Sequence, residues 1–155
     1  MTQEAFTQEV LGLEKMLYHI AATLLPRPED RQDAVQSAIF KAWRYQNSLR
    51  DADRFKPWLA RILIRECYHI KRKAGPLVLT DALPEDAAPL RDEALHEAIA
   101  LLPQKLRVTI VLYYIEGMDC RDIASALQIP KGTVKSRLSA GRAALKSLLN
   151  EEVSS

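Results

Sequence analysis

Cysteine, glycine and long apolar runs are scarce in this chain, and each scarcity removes a class of protein. Two cysteines, Cys67 and Cys120, stand far apart in 155 residues and form no ligand-like pair. A disulfide scaffold and a zinc centre are therefore not expected, and a reducing, cytoplasmic location is. No apolar stretch approaches the roughly 18 residues that cross a bilayer, so no membrane insertion is expected. Met1 to Val10 carries Glu4 and Glu9 and no basic side chain, unlike a secretory signal. Glycine occurs five times, whereas Ala and Leu occur 20 and 22 times, a balance that favours helices over a turn-rich β sandwich.

What is present is charge, and its distribution says more than its sum of +2. Residues 1–40 hold three basic and six acidic side chains, and 74–97 hold one basic and six acidic. From Arg54 to Lys73 there are seven basic residues and one acid, Glu66; from Lys131 to Asn150 there are five basic residues and no acid. Two separated cationic segments suit two contact points for a polyanion, or two solvated helix faces.

Val10, Leu13, Leu17, Ile20 and Leu24 recur at helical spacing and predict one helix from about Phe6 to Leu25, ended by Pro26 and Pro28. A second helix is expected over Asp30 to Tyr45, with Asp30 as N-cap and Val35, Ile39 and Trp43 on one face. Asn47 to Lys56 reads as a loop, and Pro57 opens a helix that continues to about Lys73. Residues 74–90 hold Gly75, Pro76, Pro84 and Pro89 with several acids, the composition of a linker. Helical patterning resumes at about Arg91, turns at Pro103 and runs to about Glu116, with Gly117 placed as a C-terminal cap. The expected fold is all-α: two small helical domains, 1–73 and 91–155, joined by a short linker, 74–90.

The strongest local pattern is Asp119 to Leu149. Asp119 can cap a short helix whose inner face carries Ile123 and Leu127; a turn at Gln128 to Pro130 then leads to a longer helix, a helix-turn-helix arrangement. On that second helix Val134, Leu138, Gly141, Leu145 and Leu148 share one side. Lys135, Ser136, Ser139, Arg142 and Lys146 point away from it. Such cations neutralise phosphates, and lysine and hydroxyl groups near a helix N-terminus reach base edges in the major groove. Free amides near Gly132 and Thr133 suit a phosphate. An ordinary amphipathic hairpin with a basic face is the alternative.

Pro57 to Lys73 projects Leu59, Ile62, Leu63, Cys67 and Ile70 inward and Arg61, Arg65, Tyr68, His69 and Arg72 outward. Cations beside an aromatic suit a path for an unpaired strand, with Phe55 and Trp58 as further stacking surface. Taken singly, Trp43 and Trp58 are more often core residues, and Cys67 reads as a small buried hydrophobe.

These residues carry a resemblance. Leu102-Pro103, Tyr114, Glu116-Gly117, Asp122-Ile123-Ala124 and above all Gly132-Thr133-Val134-Lys135-Ser136-Arg137-Leu138 resemble region four of a bacterial RNA polymerase sigma factor. Asp33-Ala34-Val35-Gln36, Lys41-Ala42-Trp43, Phe55, Trp58-Leu59 and Arg61-Ile62 are similar to region two. Their order, with the short acidic linker, resembles the extracytoplasmic-function group over roughly Leu17 to Leu149.

The resemblance implies a division of labour. Asp33, Gln36, Ser37, Lys41 and Arg44 would bind the clamp helices of the polymerase largest subunit. Arg54, Phe55, Lys56, Arg61, Arg65, His69 and Arg72 would hold the minus-ten element and a base flipped from it. Unstacking that base costs a few kcal/mol, which a pocket and a cationic path must offset. Lys131, Thr133, Lys135, Ser136, Arg137, Ser139 and Arg142 would face the minus-thirty-five element, and region four would also touch the flap of the second-largest subunit. An anti-sigma factor is the implied regulatory partner; no catalytic residue, metal or cofactor is implied. The chain departs from the family pattern at Ser37 (usually an acid), at Arg65 (commonly asparagine) and at Ala140-Gly141 (often Arg-Ala). These changes are expected to alter clamp contact, strand contact and minus-thirty-five contact in turn.

Two other functions are weighed against a sigma factor. A stand-alone helix-turn-helix regulator would need a dimer helix, and none remains once the lobes are assigned. A hydrolase using His19, His69 or His96 would need a nucleophile motif or phosphate loop, and none accompanies them.

Overall fold

The computed structural model describes residues 1–74 and 93–154, with side chains over 1–73 and 93–150. Among the described residues there are helices and no strand. Helix α1, Gln3–Gly12, opens on Thr2, whose hydroxyl accepts a hydrogen bond from the Ala5 amide at 3.1 Å. The single helix expected from Phe6 to Leu25 is broken at Leu13 (φ −110°, ψ 6°), and α2 runs Glu14–Leu24. Gly12, a weak helix former, directly precedes the break. The apolar period carries across it, so Phe6, Val10, Leu17 and Ile20 still reach one core.

Helix α3 spans Pro28–Arg44, two residues earlier than the sequence indicates. Arg27 takes the cap position without a side-chain bond, and Asp30, expected there, lies in the first turn beside Glu29. Proline suits that start, since its missing donor would be unused, and the two acids face the positive end of the helix dipole. The carbonyls left over at the end of α2 are met by buried Arg31, whose Nε donates to Leu25 O at 2.8 Å and Nη2 to Pro26 O at 2.6 Å. After two single 3₁₀ turns, Gln46–Ser48 and Ala52–Arg54, helix α4 runs Phe55–Ala74 with Pro57 in its first turn. Helices α2, α3 and α4 enclose Leu17, Ile20, Val35, Leu59, Leu63 and Cys67. Burial, with Glu66 adjacent, pushes the Cys67 thiol up to about 12. Phe6 closes the end of this core, edge-on to Trp43 at 5.1 Å and to Phe55 at 5.9 Å.

The second lobe comprises α5 (Glu93–Ala100), α6 (Gln104–Ile110), α7 (Cys120–Leu127) and α8 (Lys131–Ser154). Beyond Ile110 the expected α-helix widens into a π-helical turn, Val111–Ile115, in which the Glu116 amide donates to Val111 O at 3.0 Å. Gly117 then takes φ +69°, the left-handed cap its sequence position suggests. Asp119 caps α7 by accepting from the Asp122 amide at 2.8 Å. Helix α7 packs on α8, and Ile123 and Leu127 of the one and Val134, Leu138 and Leu145 of the other are buried in the same core. At Gly141 α8 runs close against α6: a Cβ there would sit 2.7 Å from Ile110 Cγ1 and 2.8 Å from Cδ1. The expected linker lies outside the described residues apart from Ala74.

The lobes pack on each other, α4 against α7 and α2 against α6. Arg107, 2% exposed, donates from Nη1 to Leu102 O at 3.1 Å and from Nη2 across the boundary to Thr23 O at 3.3 Å. Gln104 Nε2 adds a bond to Leu24 O at 3.4 Å.

Candidate nucleic-acid interface

Burial of Val134, Leu138 and Leu145 fixes the rotation of α8, and with it the direction of everything else on that helix. Lys131, Lys135, Ser136 and Ser139 consequently form its exposed side, with the Ser136 hydroxyl donating back to Gly132 O at 3.1 Å. Thr133 and Arg137 are half-buried. Arg137 lies close to Tyr68 of the first lobe: burial pushes that phenol up and the guanidinium pulls it partly back. Arg142 points elsewhere. Its Nη1 donates to Tyr114 Oη at 3.0 Å, which raises its already high pKa, and it rims an apolar cleft of about 580 Å³ with Leu95, Ile99, Ile110 and Leu145. The set expected to face the minus-thirty-five element is thus split between an open face, the lobe boundary and the edge of this cleft.

In α4 the buried stripe Leu59, Leu63 and Cys67 leaves Arg65, His69 and Arg72 exposed and Trp58, Arg61 and Tyr68 half-buried. Arg65, His69 and Arg72 line a cleft of about 680 Å³ with Tyr45, Trp58 and Tyr68, so cations and aromatic faces do converge there. Phe55 does not join them. It is 2% exposed and packs on Phe6 and, at 5.8 Å, on Trp58, so it supports this face from beneath. Its expected stacking role is corrected to a core role. Trp43 is 39% exposed at the edge of the aromatic cluster, less buried than a core reading implies.

Four cations near the start of α4 are engaged by the second lobe. Arg54 forms an ion pair with Asp122, and Lys56 Nζ donates to the Glu116 carbonyl. With its amide oxygen turned toward them, Gln128 accepts from Arg61 Nη2 at 2.8 Å and from Arg65 Nη2. The Glu116 carboxylate also meets His19 Nδ1 at 3.2 Å. In the sequence Glu116 and Asp122 stand out only as region-four motif residues and Gln128 only as a turn residue; nothing in their spacing marks them as partners of the α4 cations. The one available clue is Gln128, which occupies a turn position that requires positive φ.

On α3, Asp33, Gln36 and Arg44 are exposed and Ser37 is half-buried; helical spacing puts them on one side with Phe40, itself 63% exposed. Arg44 stacks over the Tyr45 ring at 5.4 Å. Lys41 instead reaches inward to buried Glu66. His19, His69 and His96 lie on α2, α4 and α5, and among the described residues no group of three His, Cys, Asp or Glu is placed to hold a metal.

Comparison with known proteins accounts for this layout. Residues 10–76 match the family described as Sigma-70 region 2, and residues 92–145 match Sigma-70, region 4. The chain is 30% identical to RNA polymerase sigma-H factor of Pseudomonas aeruginosa, over 95% of this chain and 87% of that protein. It is 29% identical to the ECF RNA polymerase sigma factor SigW of Bacillus subtilis, over 96% and 91%. The SigM factor of Mycobacterium tuberculosis is 31% identical over 94% and 77%. Among solved structures, RpoE of Bartonella quintana in complex with the anti-sigma factor NepR superposes with a TM-score of 0.77 at 29% identity, covering 95% of this chain and 98% of that one. CnrH in complex with the cytosolic domain of CnrY gives 0.69 at 27%, covering 97% and 90%. With both modules present in the same order and matched nearly end to end, the chain belongs to the extracytoplasmic-function group of RNA polymerase sigma factors.

Proposed function

We propose that this chain is a dissociable promoter-specificity subunit that works in the cytoplasm on core RNA polymerase and has no catalytic activity of its own. Residues 1–73 bind the clamp helices through Asp33, Gln36, Ser37 and Arg44 and take the opened minus-ten strand along Arg65, His69 and Arg72. Residues 74–90 tether the lobes. Residues 91–155 present Lys131, Lys135, Ser136 and Ser139 to the major groove of the minus-thirty-five element and meet the flap of the second-largest subunit.

One observation carries this reading. Two cationic helix faces, on α4 and α8, are each fixed by a buried apolar stripe and sit in modules that match region two and region four in order. Groove-binding lysine and strand-binding arginine next to aromatic rings are the two chemistries that recognition and opening require. The family assignment favours this over a stand-alone duplex-binding regulator. An anti-sigma factor is the expected regulatory partner, as in the complexes of RpoE with NepR and CnrH with CnrY. No described helix is long and apolar enough to cross a membrane.

The test is transcription by purified core polymerase over a promoter library, with and without the protein. Promoter-dependent stimulation, lost when Lys135 or Arg72 is replaced by Ala, is the expected result. A core enzyme that neither binds the protein nor changes its promoter use overturns the reading.

A further inference from the structure

Among the seven cations from Arg54 to Lys73 stands a single acid, Glu66, and phosphate binding gives it no task. A carboxylate repels the strand backbone that the neighbouring arginines attract. Yet Glu66, 8% exposed, lines the cleft of about 680 Å³ beside Arg65, His69 and Arg72. Pockets of about 300–1,000 Å³ hold small ligands, so this one has room for a nucleotide.

A lysine fixes what this acid presents. Lys41 reaches across from α3 and donates to Glu66 Oε1, while Oε2 bonds to no described residue. As a stability device the pair is poor. Half of the Lys41 side chain is in water, where an ion pair contributes little, and withdrawing a carboxylate from solvent costs free energy. What remains is one oriented acceptor on the wall of a cleft that also offers the rings of Tyr45, Trp58 and Tyr68. Rings stack any base, whereas an acceptor discriminates among them.

We propose that Glu66 is a base-reading residue of this cleft: Oε2 accepts a hydrogen bond from the exocyclic amine of a cytosine or adenine in the opened strand. Thymine and guanine are disfavoured, because O4 or O6 would bring a second acceptor to the same point. This rests on the strand-binding role given to α4 above and adds a sequence preference to it. Arg65, His69 and Arg72 hold the strand whatever its sequence, and Glu66 turns phosphates away from the cleft wall and selects the base that enters. Glu66→Gln is the deciding variant, because Lys41 orients it. The ammonium group can only donate, so it keeps the amide oxygen and leaves the amide NH2 to the cleft. An acceptor thereby becomes a donor, and the favoured bases become those with a carbonyl, thymine and guanine.

The experiment uses holoenzyme assembled from purified core polymerase and the full chain, transcribing a promoter library randomised across the minus-ten element. Sequencing of the active promoters gives the ratio of amino to keto bases at each position. Wild type is expected to favour amino bases about 5- to 10-fold at one non-template position, and Glu66→Gln to abolish or reverse that preference there alone. Glu66→Ala, with neither donor nor acceptor, should flatten it; this variant stands in should circular dichroism show Glu66→Gln misfolded. A wild type without any amino preference overturns the assignment. So does a profile shared by wild type and variants, or activity lowered evenly across all sequences, which would make Glu66 only a tie between α3 and α4. In each of those cases promoter-dependent transcription still stands, and the sigma-factor reading with it. Holoenzyme that shows no promoter-dependent transcription overturns that reading and this inference together.

Discussion

The two cationic helices differ in what lies opposite them. Helix α4 carries Arg61 and Arg65, with Arg54 just before it, against oxygen acceptors of the other lobe, whereas the lysines at the start of α8 face outward. By sequence alone the two segments look alike, each an apolar stripe backed by a run of cations. Availability of a cation is therefore set by its neighbours in the folded chain rather than by its own helix. The same holds within α8, where Lys135 is exposed, Arg137 lies beside Tyr68 and Arg142 is bonded to Tyr114.

The sharpest way to break the contrast is to ask whether the lobes are separate folding units. Leu63 in α4 and Ile123 in α7 are each fully buried, so either truncated to Ala should cost about 2–5 kcal/mol. Both tryptophans, Trp43 and Trp58, lie in the first lobe, whereas circular dichroism reports helices of both. If the packing of α4 on α7 and α2 on α6 couples the lobes, Ile123→Ala will shift the urea midpoint seen by tryptophan fluorescence as far as that seen by dichroism. A fluorescence transition left at the wild-type midpoint would show two units unfolding independently.

Alkaline pH separates the lobes in another way. The Cys67 thiol lies in the first core, its pKa raised from 9.0 to about 12 by burial and by Glu66. The unfolded chain then releases this proton at lower pH than the folded one. Stability from Cys67 is complete below 9.0 and falls by about 1.4 kcal/mol per pH unit until the folded pKa is reached near 12. Urea unfolding of wild type and Cys67→Ala at successive pH values checks this. The variant, weaker below pH 9.0 because of its cavity, should show a flatter decline above it. Parallel declines would assign the alkaline loss to other groups.

Much of this was legible from residue pattern, and the failures have physical causes. The faces of α4 and α8, the Asp119 cap and the Gly117 terminus follow from period and local hydrogen bonding, which adjacent residues largely determine. The break at Leu13 was not legible, because the apolar period continues through it. The π-helical turn at Val111–Ile115 was not either, since an extra residue in a turn leaves the composition unchanged. Phe55 looked like a stacking surface because aromatics serve cores and strands equally; only the positions of Phe6 and Trp58 decide between them. At the lobe boundary the deciding partners are tens of residues distant in sequence, so nothing local ties Asp122, Glu116 and Gln128 to the cations of α4.

Packing offers a smaller comparison between glycines of the two lobes. Gly141→Ala gains helix propensity worth about 0.5–1 kcal/mol, but its new methyl meets Ile110, itself only 1% exposed. Overpacking a filled site costs about 1–3 kcal/mol, so a net loss of about 1 kcal/mol is expected. Gly12 has nothing within 4 Å of a built Cβ, and Gly12→Ala should be stabilising by a few tenths of a kcal/mol or more. Thermal midpoints moving in opposite directions confirm the difference; two increases would mean that Ile110 repacks without cost.

The smallest effect tests the opening contrast directly. Lys135→Ala removes an exposed cation, so duplex affinity should fall and the slope of log K against log salt should shrink by about 0.9, with nothing returned. Arg65→Ala should shrink the single-strand slope by about 0.7, yet with a smaller loss of affinity. Deleting Arg65 also removes one contact to Gln128 and so loosens the lobe packing that engages the neighbouring cations. In a Gln128→Gly background that compensation disappears, and the full penalty of Arg65→Ala should emerge. The coupling between the two substitutions, read from the four-member cycle, isolates the contact itself. Zero coupling would mean that Arg65 holds the strand unhindered, and the two helices would then differ in geometry but not in availability.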